Sequence, residues 1–504
     1  MTTWLTTSRW WLVVIAVAFA LRLPAINDRF YSNDEATYSA IAATLVSGGT
    51  MYVDAVDHKP PGIAWLYASM FRAGGMYRLR WIRLLLATTV ALTGIAVGEF
   101  TASLTGEPAA RVAGLLYVVL SATGFAPNTQ AANTELFANF PLALAAFAML
   151  KQSRARQISP ASTWAFVAGA ATAGATLFRY QAAVAGGAWL LSLVLPRRHP
   201  HAIAGAVGLA VGFGVCAAAL LGHFWVVGHL DDFLFWGWRY NFQYIASVPA
   251  REEMIRFAIG TLPVVAGWLP AIVLALFARR KELTLPWLWL AAMCVALSIG
   301  GRFFGNYFLI AAPPLAALAG AGAVSLYVSG QRRWLTWLST AIAALAVVSA
   351  LAVIVWDRAD PSPAVLDATY RDAGAWIAAH SAPADRIFVW GDSPQLYVYS
   401  RRPMATRFAF TNYHTGTIWG TNPIPGSPHP PVPSLAVPRA WRELLDDIAY
   451  APPTLVVDAA AGGLHDFGGL ELEKYPQLWS IIQQHYRYET TTRGGIRIYR
   501  RVDS

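Results

Sequence analysis

Residues 10–26 read WWLVVIAVAFALRLPAI, and the polar stretch YSNDEATY follows at residues 31–38. Because a membrane-spanning helix needs about 20 mostly apolar residues, the first stretch is predicted to enter a membrane. A cleaved signal peptide would need a small-residue cleavage site, and LPAIN at residues 23–27 is a poor one. We therefore expect a retained helix that runs outward and is followed directly by two adjacent carboxylates, Asp34 and Glu35.

The composition of the whole chain is that of a membrane protein. Of its 504 residues, 56% are hydrophobic and 13% are charged, whereas soluble domains average about 25% charged residues. In a soluble protein, the net charge of +10 would suggest binding to nucleic acid. Here the basic residues mostly lie in short tracts between apolar runs, which is the pattern of cytoplasmic loops in membrane proteins. We expect no nucleic-acid partner. Cys216 and Cys294 indicate neither a disulfide framework nor a metal cluster, and the spacing of Asp54, Asp57 and His58 does not predict a metal site.

Eleven apolar stretches are predicted to span the membrane. They are roughly residues 10–26, 82–103, 111–127, 134–150, 162–178, 181–195, 203–224, 257–277, 285–301, 306–329 and 335–356. Four basic tracts each follow an even-numbered span, namely KQSRAR (151–156), RRHPH (197–201), RRK (279–281) and QRR (331–333). Since short cytoplasmic loops carry an excess of Lys and Arg, the N-terminus is predicted inside and everything after Trp356 outside. The expected location is the inner (plasma) membrane, with the tail on its periplasmic or extracellular side.

A soluble domain is predicted after the last span. Residues 1–356 would form the membrane domain and residues 357–504 a domain of α/β or α+β type, because prolines, charges and short β-rich runs appear here. The predicted strands are RIFVWG (386–391), TLVVDA (454–459) and a pair within YRYETTTRGGIRIYRR (486–501) that turns at Gly494-Gly495. Helices are predicted at 364–380 and 438–449, and a proline-rich loop at 421–438.

The first long loop, residues 27–81, is predicted to carry two helices near the outer membrane interface. One begins near Asp34 with apolar residues at helical spacing and ends around SGG at residues 47–49. The other begins at the prolines of DHKPPG (57–62), which suit a first helical turn, and stops at Gly74-Gly75.

The acidic pair has a structural and a functional interpretation. Ser32 and Glu35 have the spacing of a capping box, which accounts for an acid at a helix start. It does not account for the cations predicted on the same side of the membrane, against the usual bias. Single arginines there are explained by snorkelling or pairing, but as a set they favour phosphate binding. These cations are His58, Lys59, Arg72, Arg78, Arg80, Arg83, Arg179, Arg239 and Arg302.

Two further features strengthen the functional interpretation. Pro60 and Pro61 fix the backbone just after Lys59, so this lysine is predicted at a rigid helix entrance, where it suits an anionic lipid headgroup. An ordinary interfacial lysine is the alternative. Glu135 opens the fourth predicted span, again on the outer side, and is either a helix-dipole partner or a second active-site acid.

These elements occur in a fixed order that resembles a known superfamily. The order is one span, then NDEATYSAIAATLVSGGTMYVDAVDHKPPGIAWLYASMF (33–71), then many spans, with an acid at the outer start of span four and RFFGNYFLIAAPPLAALAG at 302–320. The pattern resembles the GT-C superfamily of polyprenyl-phosphate-sugar glycosyltransferases, nearest to the protein O-mannosyltransferases and the bacterial lipid A aminoarabinose transferase. The resemblance covers roughly residues 10–330.

The tail and two single residues refine that resemblance. DRIFVWGDSPQLYVYSRRPMATRF (385–408) is similar to the tail of some bacterial members and unlike the β-trefoil domain of eukaryotic protein mannosyltransferases. Glu135 stands where members often have aspartate, which makes its role less secure than that of Asp34. Asn306 stands where relatives often have histidine.

The resemblance implies a polytopic GT-C fold and an inverting transfer of sugar from polyprenyl phosphate to a hydroxyl acceptor of the cell envelope, a protein, lipid or wall glycan. Asp34 would then be the general base, with Glu135 as the second catalytic acid and Glu35 near the acceptor. The donor phosphate would be bound by Lys59, His58, Arg239, Arg302 and Tyr307. No cofactor is expected to be required, although carboxylates are able to hold a divalent metal.

Other functions fit part of the pattern. A transporter or flippase of a lipid-linked sugar would share the spans and the outer cations, but it should show internal repeats or broken helices, and no repeat is found in the sequence. A lipid-binding scaffold whose tail recruits partners is a second alternative. Within the superfamily, a ligase that uses a diphosphate-linked oligosaccharide is a third.

Overall fold

The computed structural model describes residues 2–502 except 125–128, 196–198, 248–249, 279–282, 360–361 and 418–432. The basic tract at 279–281, the start of the tract at 197–201 and most of the proline-rich loop at 421–438 lie outside the described residues. The chain divides into two compact units. Unit 1 comprises Met1–Asn27, Leu79–Gly228 and Arg256–Trp356, and unit 2 comprises Asp28–Arg78, His229–Ile255 and Asp357–Ser504.

The described residues are mostly helical. The first helices are α1 (Thr2–Arg22), α2 (Asn33–Val46), α3 (Gly62–Gly74), α4 (Leu79–Thr105), α5 (Glu107–Leu120), α6 (Thr134–Arg154), α7 (Ile158–Thr176), α8 (Ala185–Ser192) and α9 (Ala202–Val226). The next are α10 (Leu230–Asp232), α11 (Tyr240–Ala246), α12 (Ala250–Leu276), α13 (Thr284–Ser298), α14 (Ala312–Val328) and α15 (Arg332–Ala359). The last are α16 (Ser362–Ala379), α17 (Gln395–Ser400), α18 (Asn412–Thr415), α19 (Pro438–Tyr450) and α20 (Pro476–His485).

Unit 1 contains the apolar helices, and each of the eleven predicted spans overlaps one helical segment. Among the described residues, four segments are both long and apolar enough to cross a membrane, namely Leu79–Thr105, Ala202–Val226, Glu253–Leu276 and Gly305–Val328. Shorter apolar helices lie at Trp11–Ala25 and Thr284–Ser298. These helices make the chain a multi-pass membrane protein.

Helix α9 illustrates how unit 1 is suited to lipid. Ile203, Val207, Val211 and Val215 are exposed and recur every four residues, so they form one apolar stripe. A neighbouring side of the helix packs closely on α7, since a Cβ atom on Gly212 would lie 2.0 Å from the carbonyl oxygen of Phe166. Small residues at such a contact are typical of helix pairs in membranes.

Unit 2 contains a four-stranded sheet of β1 (Ile387–Trp390), β2 (Leu455–Asp458), β3 (Tyr486–Thr491) and β4 (Arg497–Arg501) in the order β1-β2-β4-β3. Strands β1 and β2 are parallel, whereas β4 is antiparallel to both β2 and β3. The predicted strands and the helices α16 and α19 are confirmed. The turn before β4 uses Gly494 and Gly495 at φ 79° and 80°, a conformation that glycine adopts without a Cβ clash.

Unit 2 also includes the loop 28–78 with helices α2 and α3, both predicted from the sequence. The predicted division of the chain into a membrane domain, residues 1–356, and a soluble domain, residues 357–504, stays a prediction. Sequence reasoning missed the helical character of residues 230–246, where a π-helix at Phe233–Arg239 leads into α11. π-Helical turns occur frequently at functional sites.

Candidate functional site

Asp34 lies in the first turn of α2 in unit 2. Ser32 is the N-cap, and its hydroxyl accepts a hydrogen bond from the Asp34 N–H at 3.2 Å. The Asp34 side chain is 36% exposed, and its second oxygen, Oδ2, has no hydrogen-bond partner in the described part of the chain. A carboxylate at a helix N-terminus is favoured by the helix dipole, and this one keeps an open oxygen for a further partner.

Lys59 contacts Asp34 directly. Its Nζ lies 3.1 Å from Asp34 Oδ1 and 3.5 Å from Asp57 Oδ2. It also lies 5.1 Å from the centre of the Tyr38 ring, where a cation–π contact is favourable. The ammonium therefore bridges two carboxylates, and Asp57 is a partner that sequence reasoning did not find.

The backbone around Lys59 is fixed on both sides. The Tyr52 hydroxyl donates to the Lys59 carbonyl oxygen at 2.8 Å, and Tyr52 itself is fully buried with a φ of 70°, in the left-handed region. On the other side Pro60 follows, and Pro61 is the N-cap of α3. The ammonium is thus carried by a rigid segment.

The charges of this cluster are set by their neighbours. Burial by itself would raise the pKa of Asp57, but the ammonium of Lys59 and the contacts of His58 outweigh it and hold the pKa well below its usual range. Burial would lower the pKa of Lys59, but the negative charges of Asp34 and Asp57 raise it well above its usual value. Asp57 is therefore ionised and Lys59 protonated throughout the neutral range.

His58 lies against aromatic rings. Its ring centre is 4.6 Å from that of Tyr244 and 5.9 Å from that of Tyr240, and its carbonyl oxygen accepts a hydrogen bond from Asn241 Nδ2 at 2.8 Å. Burial lowers the pKa of His58 more than the nearby Asp57 raises it. At neutral pH His58 is uncharged, so it would offer phosphate a hydrogen bond rather than a positive charge.

Glu35 is fully buried at the same helix start. Its Oε2 accepts a hydrogen bond from the N–H of Tyr31 at 2.9 Å, which precedes the N-cap Ser32. The predicted capping box would have bonded Glu35 to the N–H of Ser32 itself. The contact to Tyr31 is a related cap that fixes the chain entering α2.

Glu135 belongs to unit 1, at the start of α6, and is fully buried. Its Oε1 accepts a short hydrogen bond from Arg179 Nη1 and a second from Asn306 Nδ2 at 3.0 Å. Its Oε2 lies 3.3 Å from the donating hydroxyl of Thr134. The carboxylate is therefore held from three sides, and its charge is balanced by a guanidinium.

Arg179 is a residue whose importance sequence reasoning missed. Its guanidinium carbon lies 3.8 Å from the centre of the Tyr307 ring. Although the side chain is buried, its Nε and Nη2 have no hydrogen-bond partner in the described part of the chain. The only sequence signal was its predicted place on the outer side. Of the predicted donor-phosphate residues in this unit, Arg302 is buried and Tyr307 is half-buried.

The other predicted cations have structural contacts or lie in solvent. In unit 2, Arg72 donates to the carbonyl oxygen of Leu45 at the end of α2, and Arg78 forms a loose ion pair with Asp28 at 3.7 Å. Arg239 is exposed at the end of the π-helix. Across the described residues, no group of three or more His, Cys, Asp or Glu side chains is placed to hold a metal ion.

Comparisons with known proteins find similar solved structures. The crystal structure of ArnT from Cupriavidus metallidurans bound to undecaprenyl phosphate matches with a TM-score of 0.63 at 16% identity, covering 99% of both chains. Its apo form gives 0.65 at 13% identity, covering 98% of both. The oligosaccharyltransferase AglB from Archaeoglobus fulgidus, in complex with an inhibitory peptide and a dolichol-phosphate, gives 0.50 at 12% identity, covering 99% of this chain and 74% of that one. No protein-family profile and no curated sequence matches. The chain therefore shares the fold of these solved structures, the polytopic GT-C fold that the sequence predicted.

Proposed function

We propose that this protein is a membrane glycosyltransferase that moves a sugar from a polyprenyl-phosphate donor to a hydroxyl acceptor at the outer face of the membrane. The observation that carries the proposal is the ion pair of Lys59 and Asp34, at 3.1 Å, in which the lysine sits on a fixed backbone and the aspartate keeps one oxygen open. The solved structures of ArnT and AglB, which share the fold, are complexes with undecaprenyl phosphate and dolichol-phosphate. A lipid phosphate is therefore the donor class that the likeness favours.

The reaction is an in-line displacement at the anomeric carbon of the sugar. The acceptor oxygen forms the new bond to this carbon while the bond from the carbon to the phosphate oxygen breaks, so the configuration inverts. Asp34 takes the proton of the acceptor hydroxyl through its open oxygen. The polyprenyl phosphate leaves as an anion, which needs no proton, and the ammonium of Lys59 stabilises the developing charge.

The ion pairs of Lys59 suggest how binding of the donor would free Asp34 to act as the base. In the described structure the ammonium is shared between Asp34 and Asp57. A sugar-linked polyprenyl phosphate is a phosphodiester with one negative charge, and its charge grows as the bond to the sugar breaks, so it would draw the ammonium of Lys59 toward itself. Asp57 is buried behind the lysine and remains its counter-ion. Asp34, the more exposed partner, would then lose its cation and be free to accept a proton.

The remaining predicted residues take supporting roles in the proposal. His58, as a neutral hydrogen-bond donor, and Arg239, both of unit 2, are assigned to the donor phosphate. The donor-phosphate role of Arg302 and Tyr307 in unit 1 stays a prediction from the sequence. Glu135 is assigned to hold Arg179 rather than to take a proton, because its oxygens are already occupied.

Glu35 was predicted near the acceptor. In the proposal it acts indirectly, because its hydrogen bond with the N–H of Tyr31 fixes the start of the helix that carries Asp34. No metal step is part of the proposal.

The test is transfer by the purified protein in detergent. The protein is incubated with a polyprenyl-phosphate-linked sugar and with envelope glycans and glycolipids from cells that lack it, and the products are followed by mass spectrometry. The proposal expects sugar-free polyprenyl phosphate and a glycosylated acceptor in equal amounts, with inverted anomeric configuration.

The same protein in vesicles tests the flippase alternative. A flippase moves the sugar-loaded lipid between leaflets and leaves it chemically unchanged. Translocation without release of polyprenyl phosphate, under conditions in which the acceptor is present, would overturn the proposed transferase.

A further inference from the structure

The residue before Asp34 is fixed by the C-terminal part of the chain. Asn33 Nδ2 donates to Asp392 Oδ1 at 2.6 Å, and Asn33 Oδ1 accepts from Gln395 Nε2 at 2.7 Å. Both partners are buried and all three residues belong to unit 2. Both the NH2 group and the oxygen of the Asn33 amide are therefore hydrogen-bonded, to residues more than 350 positions later in the sequence.

The partners of Asn33 sit on a rigid support. Strand β1 ends at Trp390, and Asp392 and Ser393 follow after one glycine. The Ser393 hydroxyl is hydrogen-bonded to the Tyr370 hydroxyl of α16 at 3.1 Å. Gln395 begins α17, which packs against α2. The sheet of the tail thus determines where the first turn of α2 lies.

A second attachment holds the segment that leads to Lys59. The Val56 N–H donates to the Arg407 carbonyl oxygen at 2.8 Å, and Val56 forms an isolated parallel bridge with Phe408. Arg407 is itself fixed by a two-pronged contact to Asp447, with Nε 3.0 Å from Oδ2 and Nη2 2.7 Å from Oδ1. Val56 is three residues before Lys59, so the tail holds this strand-like segment as well.

The two attachments flank the proposed catalytic pair. Asn33 and Asp34 are consecutive helical residues and project about 100° apart around α2. When Asn33 binds the tail, Asp34 is turned away from it, toward Lys59.

We propose that the C-terminal domain is a positioning domain, and that Asn33, Asp392 and Gln395 set the distance and angle between Asp34 and Lys59. This inference rests on the proposed function of that pair. A displacement of about 1 Å at such a pair is enough to lower turnover by about 100-fold.

The test exchanges the two ends of one hydrogen bond. Asn33→Asp places a carboxylate against Asp392 and should break the contact by repulsion. Combining it with Asp392→Asn restores the bond with donor and acceptor reversed, and Gln395 still has a carboxylate oxygen to donate to. The control is Arg497→Gln, which removes the exposed ion pair between Arg497 and Glu473 and involves none of the attachment residues.

Turnover and donor affinity are measured for each variant. We expect Asn33→Asp to lower kcat by about 10- to 100-fold with little change in affinity for undecaprenyl phosphate, and the exchanged pair to recover kcat to within about threefold of the unmodified protein. Unchanged turnover in Asn33→Asp, or a loss that the exchanged pair does not recover, would overturn the inference.

Hydrogen exchange separates this inference from the proposed function. Protection of the amides in the first turn of α2 should fall in Asn33→Asp and return in the exchanged pair, whatever reaction the protein catalyses. If the unmodified protein transfers no sugar, the proposed function fails, and the exchange result alone decides whether the tail positions α2. Unaltered protection in Asn33→Asp would then overturn the positioning role.

Discussion

Replacing Lys59 by methionine tests the charge cluster, because the ammonium has two different partners. Asp57 is 2% exposed and Asp34 36% exposed. Loss of the partly exposed contact to Asp34 should cost at most about 1 kcal/mol. Asp57 would be left as a buried charge without its cation, which costs about 3 kcal/mol or more. We therefore expect Lys59→Met to lower the free energy of unfolding by about 3–4 kcal/mol, nearly all of it through Asp57.

A second substitution separates stability from binding. In Asp57→Asn/Lys59→Met no charge is left buried, and the Asn carbonyl can still accept the hydrogen bond that Asp57 takes from the His58 N–H at 2.7 Å. The double variant should therefore regain most of the lost stability. It should not regain donor binding, because a charge-assisted hydrogen bond worth about 1.5–3 kcal/mol is absent in both variants.

The assays are thermal unfolding in detergent and titration with undecaprenyl phosphate. Both variants should bind this lipid about 10- to 100-fold more weakly than the unmodified protein, while their unfolding midpoints differ. Donor affinity that is unchanged in the double variant would refute the phosphate role of Lys59. Equal unfolding midpoints in the two variants would refute the account of Asp57.

Two further predictions concern buried charges away from this cluster. Glu135→Leu leaves the guanidinium of Arg179 buried without its carboxylate and should clearly lower the unfolding midpoint. The double variant Glu135→Leu/Arg179→Met should restore most of that midpoint. A single variant as stable as the unmodified protein would show that the pair is not buried as described. Burial lowers the pKa of His414 to about 3, below the value of about 6.5 for an unfolded chain, so its contribution to stability is present above pH 6.5 and is lost as the pH falls toward 3. His414→Phe should remove this part of the acid sensitivity, up to about 5 kcal/mol between these limits. Unfolding midpoints recorded from pH 7 to pH 4 that run parallel in the two proteins would contradict the assignment.

Local signals predicted the elements that carry the site. The apolar stretches, the prolines before α3 and the glycines after α2 and α3 each act within a few residues, and the corresponding helices are confirmed. The sequence also placed an acid and a lysine on one loop, and the structure brings Asp34 and Lys59 to 3.1 Å. Both features depend on spacing within fewer than 30 residues, where local pattern is informative.

Contacts between residues far apart in the sequence could not be predicted from local patterns. Nothing in the pattern around Asn33 indicates that it binds Asp392, because the two meet only after the whole chain has folded. In the sequence, Arg179 was one of several cations predicted on the outer side. The structure shows that it donates a hydrogen bond to Glu135 and stacks on the ring of Tyr307. The charge state of His58 likewise follows from burial, which a motif does not reveal.

The most direct test of the central claim compares two aspartates of the same loop. Asp34 and Asp28 have side chains that are both 36% exposed, and each forms an ion pair, with Lys59 at 3.1 Å and with Arg78 at 3.7 Å. Sugar transfer from a polyprenyl-phosphate donor should fall by about 100-fold or more in Asp34→Asn, because the amide cannot accept the acceptor's proton, while Asp28→Asn should retain the turnover of the unmodified protein. Equal turnover in the two variants would contradict the role of Asp34 as the base.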